Sequence, residues 1–258
     1  MPIPVEDILD YRVTTYSLER CLKTVCDWLF ALEGCRIFVC ANPHSLVLAR
    51  HDPLFQQAIH GADLVTPDGA GIVLASKILG GSIRERITGS DIFWGLSEEM
   101  NRIGGKSYFF LGSTDETLAA IKRKMAIEYP DIRFAGSYSP PYKAEFSEED
   151  SRKMVDAVNS SQADVLWVGM TAPKQEKWIH QYRDRLDVRF IGAIGAVFDF
   201  YVGNVKRSRP VFQKLGLEWL PRLLQEPRRL FRRNFVSSPL FLWFVFRQKI
   251  RQQTKRAV

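Results

Sequence analysis

The run Ala62-Asp63-Leu64-Val65-Thr66-Pro67-Asp68-Gly69-Ala70-Gly71 places one carboxylate, Asp68, where a short apolar strand gives way to a glycine-flanked helix. Open α/β sheets bind ligands at the carboxyl ends of their strands. A lone carboxylate there suits a general base that takes a proton from an attacking hydroxyl. Other polar residues fall at similar positions. Asn42 precedes Pro43 at a strand end, and Arg86, Thr88, Gly89 and Asp91 stand ahead of a helix. Gly112, Ser113 and Thr114 form a turn whose backbone N–H groups can hold an anion. Pro173 opens a helix that starts with Lys174, Gln175 and Glu176, and Asp199 follows a glycine-rich strand end. Taken singly, each of these reads as a helix cap, an N-terminal charge or a turn residue. Gathered at one end of one sheet, they predict a shared pocket.

Several kinds of chemistry lack their motifs. There is no G-x-x-x-x-G-K-[ST] loop and no G-x-G-x-x-G fingerprint, so neither P-loop nor dinucleotide chemistry is expected. No two aspartates stand one residue apart. His44, His51, His60 and His180 have no ligand spacing, so no metal and no cofactor is expected. Cys21, Cys26, Cys35 and Cys40 form no C-x-x-C pair and read as buried, reduced thiols.

The elements that must position these residues alternate. Strands are predicted at 12–15, 36–41, 64–67, 106–111, 132–136, 165–169 and 189–193. Helices are predicted from Ser17, after Ser113/Thr114, from Ser147 with Asp150 three residues on, and over 174–185. This order predicts an α/β, Rossmann-like core with a mostly parallel sheet and helices on both faces. The charge is uneven. Of the net +7, residues 204–258 carry +12, from 14 Lys/Arg against 2 Asp/Glu, and the rest carries −5. We therefore expect a catalytic core over 1–204 and a basic, aromatic, helical appendage over 205–258. Arg228, Arg229, Arg232 and Arg233 precede the apolar run 240–246, which contains Trp243 and Phe244. That run is far short of the ~20 residues a membrane span needs. It suits the plane of an anionic membrane surface. Packing of its aromatics on the core or on a second subunit is the alternative. The N-terminal ten residues read as neither signal peptide nor anchor, and no nucleic-acid-binding module accompanies the basic tail.

Five segments resemble the WecG/TagA/CpsF glycosyltransferases, in that family's order: Thr66-Pro67-Asp68-Gly69, Pro173-Lys174-Gln175-Glu176, Gly195 with Phe198-Asp199-Phe200, Gly203-Asn204-Val205-Lys206-Arg207, and Gly216-Leu217-Glu218-Trp219-Leu220. The resemblance implies inverting, metal-independent transfer of a sugar from a UDP-sugar to an undecaprenyl-diphosphate-linked saccharide. The sugar would be N-acetylmannosamine, its uronic acid or glucose. The protein would lie peripherally on the cytoplasmic face of the bacterial inner membrane and serve surface-polysaccharide synthesis. Asp68 matches the family's base, Asn42 and Arg86 match pocket residues, and Gln175 matches the glutamine of Pro-Lys-Gln-Glu. Arg207 and other appendage arginines, Lys174 and the Gly112–Thr114 turn would meet the diphosphate. The chain departs from the family at Cys40, often Thr, at Arg207-Ser208-Arg209-Pro210 in place of Arg-Ala-Pro, and at Pro221, usually Tyr. A homo-oligomer is compatible with this reading. The rival is a non-catalytic nucleotide-sugar-binding or scaffold protein.

Overall fold

A computed structural model describes residues 2–31, 34–205 and 232–256, with residues 232–234 and 255–256 described by backbone alone. Arg207, Arg228 and Arg229, and the boundary expected near 204, border on or fall within 206–231, outside the described residues.

The chain opens with a hairpin, β1 (Val5–Ile8) and β2 (Tyr11–Thr14), paired antiparallel. Its two-residue turn has positive φ at both Leu9 and Asp10, as tight hairpins require. The strand expected over 12–15 therefore belongs to this hairpin and not to the parallel sheet. Its partner β1 carries acids among its apolar residues, which masks it in the sequence.

The core then alternates: α1 (Leu18–Phe30), β3 (Arg36–Ala41), α2 (Pro43–Ala49), α3 (Pro53–His60), β4 (Leu64–Pro67), α4 (Ala70–Leu79), α5 (Gly89–Ile103), β5 (Lys106–Gly112), α6 (Asp115–Glu128), β6 (Ile132–Tyr138), α7 (Glu148–Ser160), β7 (Val165–Gly169), α8 (Lys174–Tyr182), β8 (Phe190–Ala193) and α9 (Val197–Val202). Strands β3 to β8 form one sheet in the order β4-β3-β8-β7-β5-β6, and every pairing is parallel. All six carboxyl ends thus emerge along one edge.

Helices cover both faces. Leu46 of α2, Phe55 of α3, Ile72 of α4, Val155 of α7 and Trp178 of α8 share one buried cluster. Val25 of α1, Phe93 of α5, Ile121 of α6 and Phe198 of α9 share the other. The neighbouring strands β3 and β8 accordingly hand the chain to opposite faces, through α2 and α9. A crevice must open where such neighbours diverge. Glycines let the layers close. A Cβ on Gly192 would sit 2.3 Å from Trp167 Cζ3, and one on Gly169 would sit 2.4 Å from Phe198 Cδ2.

A π-helical turn (Arg232–Ser237) leads into the last helix, α10 (Ser238–Arg256). Phe241 and Val245 are fully buried in the first cluster, beside α2 and α4. Gln248 Oε1 accepts from Leu9 N at 2.9 Å, and its Nε2 donates to Asp7 O at 2.8 Å. Arg50 lies 4.4 Å over the Phe244 ring. One face of α10 is therefore core, as the alternative reading of the tail allowed. Its other face leaves Trp243, Phe246 and Ile250 half-exposed or more. Phe241→Ala should lower unfolding stability by about 3 to 5 kcal/mol in urea denaturation. A loss under 1 kcal/mol would mean that α10 does not hold this position.

Candidate functional site

The carboxyl edge of the sheet opens into a cleft of about 1230 Å³, walled by the loops after β3, β4, β5, β7 and β8 and by the C-terminal segment. Each loop is held in place by a bond that can be named.

After β3, Asn42 caps α2. Its Oδ1 accepts from Ser45 N at 3.0 Å, and Ser45 Oγ accepts from Asn42 N at 2.9 Å. The cap uses the amide oxygen, and Asn42 stays on the cleft wall. After β4, Asp68 N donates to Ala41 O at 2.8 Å, which continues the β3–β4 ladder one residue past the strand. Gly69 follows with φ +100°, a conformation that suits glycine, and α4 starts at once. A Cβ on Gly71 would lie 2.4 Å from Pro43 Cγ, so the start of α4 abuts the start of α2. Asp68 is thereby set, half-buried, beside Asn42. Ile87 N donates to Pro67 O at 2.8 Å and draws the segment 86–88 alongside. Arg86 and Thr88 join the wall through it.

Thr88 also caps α5. Its N and Oγ1 donate to Asp91 Oδ2 at 2.9 and 2.8 Å, and its Oγ1 accepts from Asp91 N. Asp91 therefore works as the far half of a capping box, and it is not on the cleft wall. At the end of β5, Ser113 and Thr114 line the cleft. Ser139 Oγ donates to Ser113 O at 2.8 Å, while Thr114 Oγ1 caps α6. Gly112 lies behind this turn: a Cβ there would be 2.5 Å from Gly169 O. Its part is to let β5 and β7 approach, since no contact with the cleft is present.

The Pro-Lys-Gln-Glu segment divides its labour. Lys174 Nζ donates to Lys143 O at 2.8 Å and lies 4.6 Å from the Phe146 ring, so it ties down the loop after β6. Gln175 is 4% exposed. Its Oε1 accepts from Met170 N (3.3 Å) and Gly195 N (3.1 Å), which bridges the loops after β7 and β8. Its Nε2 donates to Glu176 Oε1 at 2.8 Å. Glu176 is 5% exposed, and its Oε2 has no hydrogen-bond partner. Burial pushes its pKa up to about 7, against the pull of the Gln175 hydrogen bond. Asp199, on the first turn of α9, completes that side of the wall.

The structure thus brings together Asp68, Asn42, Arg86, Thr88, Ser113, Thr114, Lys174, Gln175, Glu176 and Asp199. Sequence reasoning passed over other wall residues. His44 lines the cleft and bonds Ser237 Oγ at 2.8 Å; Phe235, Ser238, Phe241 and Leu242 bring the C-terminal segment into it. The turn Ser139–Tyr142 stands at its mouth, with the Tyr142 side chain fully exposed. Its Ser-Pro-Pro-Tyr composition is that of an exposed turn. Cys40 is only partly buried on the wall, not fully as the sequence suggested, and Thr66 Oγ1 donates to its Sγ at 3.7 Å. Burial, then the nearby Asp68 carboxylate, holds that thiol well above its ordinary pKa. Among the described residues, no three His, Cys, Asp or Glu side chains converge as a metal-ligand set.

A parallel sheet with this large cleft at its carboxyl edge defines a candidate ligand site on a Rossmann-like core. The chain belongs to the glycosyl transferase WecG/TagA/CpsF family, whose model it matches over residues 6–255. It is a glycosyltransferase of bacterial cell-envelope polysaccharide synthesis. It is 32% identical, over 96% of this chain and 91% of the other, to a Bacillus spizizenii protein named N-acetylglucosaminyldiphosphoundecaprenol N-acetyl-beta-D-mannosaminyltransferase. Proteins of the same name from Bacillus subtilis (29%, over 83% of this chain and 80% of the other) and Staphylococcus aureus (27%, over 82% and 80%) are also similar.

Glu176 yields a stability prediction. The folded chain keeps this proton up to about pH 7, whereas a free glutamate, with its value of 4.5, releases it earlier. Between those values the native state binds more protons than the unfolded one, so stability falls as pH rises. The full loss is about 3 kcal/mol above pH 7. Glutamine resembles the neutral acid in shape and cannot ionise. Glu176→Gln should therefore be more stable than the wild type by up to about 3 kcal/mol at about pH 8, and nearly equal to it at about pH 5, in urea denaturation. A difference that does not change with pH would show that Glu176 is ionised in the fold.

Proposed function

We propose that the protein transfers an N-acetylmannosamine-type sugar from a UDP-sugar to an N-acetylglucosamine carried on undecaprenyl diphosphate, with inversion and without a metal ion. The observation that carries this reading is the placement of Asp68. It is a half-buried carboxylate on the wall of the large cleft, with Asn42, Arg86 and the β5 turn around it. The names of the similar proteins supply the sugar and acceptor classes.

In a single displacement, Asp68 takes the proton of the acceptor hydroxyl as that oxygen attacks the anomeric carbon. The bond to the UDP oxygen breaks on the opposite side of the ring. An α-linked nucleotide sugar then gives a β-linked product, the linkage in the relatives' names. The negative charge that develops on the leaving diphosphate calls for donors and cations. Arg86 and the backbone at Ser113–Thr114 supply them on the described wall, and Arg207 is a further candidate outside the described residues. Lys174 is held to Lys143 O, so it serves this charge from the rim at most.

No helix among the described residues is long and apolar enough to cross a membrane. The outward face of α10 nonetheless presents Trp243, Phe246 and Ile250, and Phe235 lies exposed just before it. Arg247 stacks 4.8 Å from the Trp243 ring. Because Phe235 and Leu242 also wall the cleft, this apolar surface adjoins the site. We infer that it rests peripherally on the cytoplasmic leaflet, where a polyprenyl-linked acceptor presents its sugar. Interfacial aromatics beside cations suit that position.

Asp68→Asn should lower kcat by about 10²- to 10⁴-fold while leaving UDP affinity and the melting temperature unchanged. Near-normal turnover would remove Asp68 from the mechanism. Transfer should survive EDTA. Removing the whole of α10 would also remove core, so surface variants test the membrane contact better. The double variant Trp243→Ser/Phe246→Ser should sediment less with anionic vesicles yet keep its thermal stability, and unchanged sedimentation would refute that contact.

A further inference from the structure

The Pro-Lys-Gln-Glu segment ends in a carboxyl group that the mechanism above does not use. Glu176 belongs to the cleft wall, is 5% exposed, and keeps Oε2 buried with no hydrogen-bond partner. The other half of the group is fully determined. Gln175 Oε1 accepts two backbone N–H groups, so Gln175 must present its NH₂ to Glu176 Oε1. Oε1 is therefore an acceptor, and a proton on this carboxyl sits on Oε2. We propose that Glu176 acts as a neutral acid of the binding site, carrying its proton on Oε2 and so allowing the cleft to accept an anionic diphosphate ligand. This proposal rests on the UDP-sugar reading of the cleft.

The electrostatic setting supports it. Glu176 and Asp68 both lie close enough to Cys40 to disfavour its thiolate, and Asp91 does so from the start of α5. The cleft also carries Asp199 from α9, and Asp115 with Glu116 from the start of α6. Against these stand Arg86, and Lys174, which is bound to the loop after β6; His44 adds a titratable ring from α2. An ionised Glu176 would put one more anion in a wall already rich in them, with one oxygen unsolvated. A buried charge in that state is costly. Its repulsion would fall on Asp68, which must be ionised to act as a base, and on any diphosphate. Two carboxyl groups in one site with opposed protonation states is the arrangement expected when one is a base and the other a donor. Burial, the main cause of the shift to about 7, keeps Glu176 neutral just below neutrality.

The test compares wild type with Glu176→Gln, which preserves the acceptor for Gln175 and replaces the O–H donor by an N–H donor. UDP binding is measured by calorimetry from about pH 6 to about pH 9. UDP titrates in this range itself, so the difference between the two proteins is the readout. Wild-type affinity should fall about tenfold more than that of the variant over this span. The alkaline limb of the kcat/KM profile for transfer should move the same way. Parallel pH dependences in the two proteins would overturn the proposal, as would a folded variant that binds UDP poorly at every pH. If the UDP difference is present but neither protein transfers sugar to a lipid-linked acceptor, the inference stands and the proposed function falls. A cleft that binds no UDP at any pH overturns both.

Discussion

The strands β7 and β8 stay paired until Ile194 N and Gly195 N reach Val168 O, and beyond that point no ladder is left to set the distance between their loops. The Gln175 amide takes over, with its oxygen on Met170 N and Gly195 N and its nitrogen on Glu176. An amide suits this task because it accepts at one end and donates at the other in one rigid plane. The bond sits in a nearly dry setting, where a satisfied polar network is strong and a broken one is costly. The positions of Lys174 and Glu176, on either side of it in the chain, follow from it. So does the entry to α9, which carries Asp199.

A second constraint is the close approach of glycines to backbone and aromatic side chains behind the cleft. Gly112 meets Gly169, Gly169 meets Phe198, and Gly192 meets Trp167, each at a distance that leaves no room for a Cβ. These contacts let bulky aromatics of the second cluster fill the layer beneath the site. Phe93 and Trp167 pack edge to face with ring centroids 5.3 Å apart, and Phe110 and Phe198 do so at 5.4 Å. The strand ends are thus braced from below by large, stiff side chains. Polar wall residues on short loops can then hold their positions over a stiff support.

The C-terminal helix joins two tasks that the amino-acid pattern separates. Its inner face is part of the core through Phe241 and Val245, and its outer face is apolar and exposed at Trp243 and Phe246. The same segment supplies Phe235, Ser238 and Leu242 to the cleft. This exposed apolar face is therefore rigidly coupled to the site, since packed interiors do not deform continuously. Phe244, expected from the sequence to face a membrane, is partly buried and lies under Arg50. The backbone of Arg232 and Arg233 begins the turn that leads into the helix.

What the sequence alone determined is local. The strands at 36–41, 64–67 and 165–169 emerge with their expected bounds, because apolar β-rich runs bounded by turn residues are legible within a few positions. The Ser147–Asp150 box and the caps at Ser17 and Thr114 are equally local. Asp68 could be placed at a strand-to-helix turn for the same reason. Tertiary structure decided what depends on distant partners. It set the strand order, the assignment of residues 12–15 to a hairpin, and which face of α10 is buried. It also separated the cap residues that reach the cleft, such as Thr88, from those that do not, such as Asp91. Glu176 is the clearest case: the sequence places it among the residues of a shared pocket, but its letter carries no sign that the side chain is buried. Only the burial supplied by elements far along the chain turns it into a group that holds its proton near neutral pH.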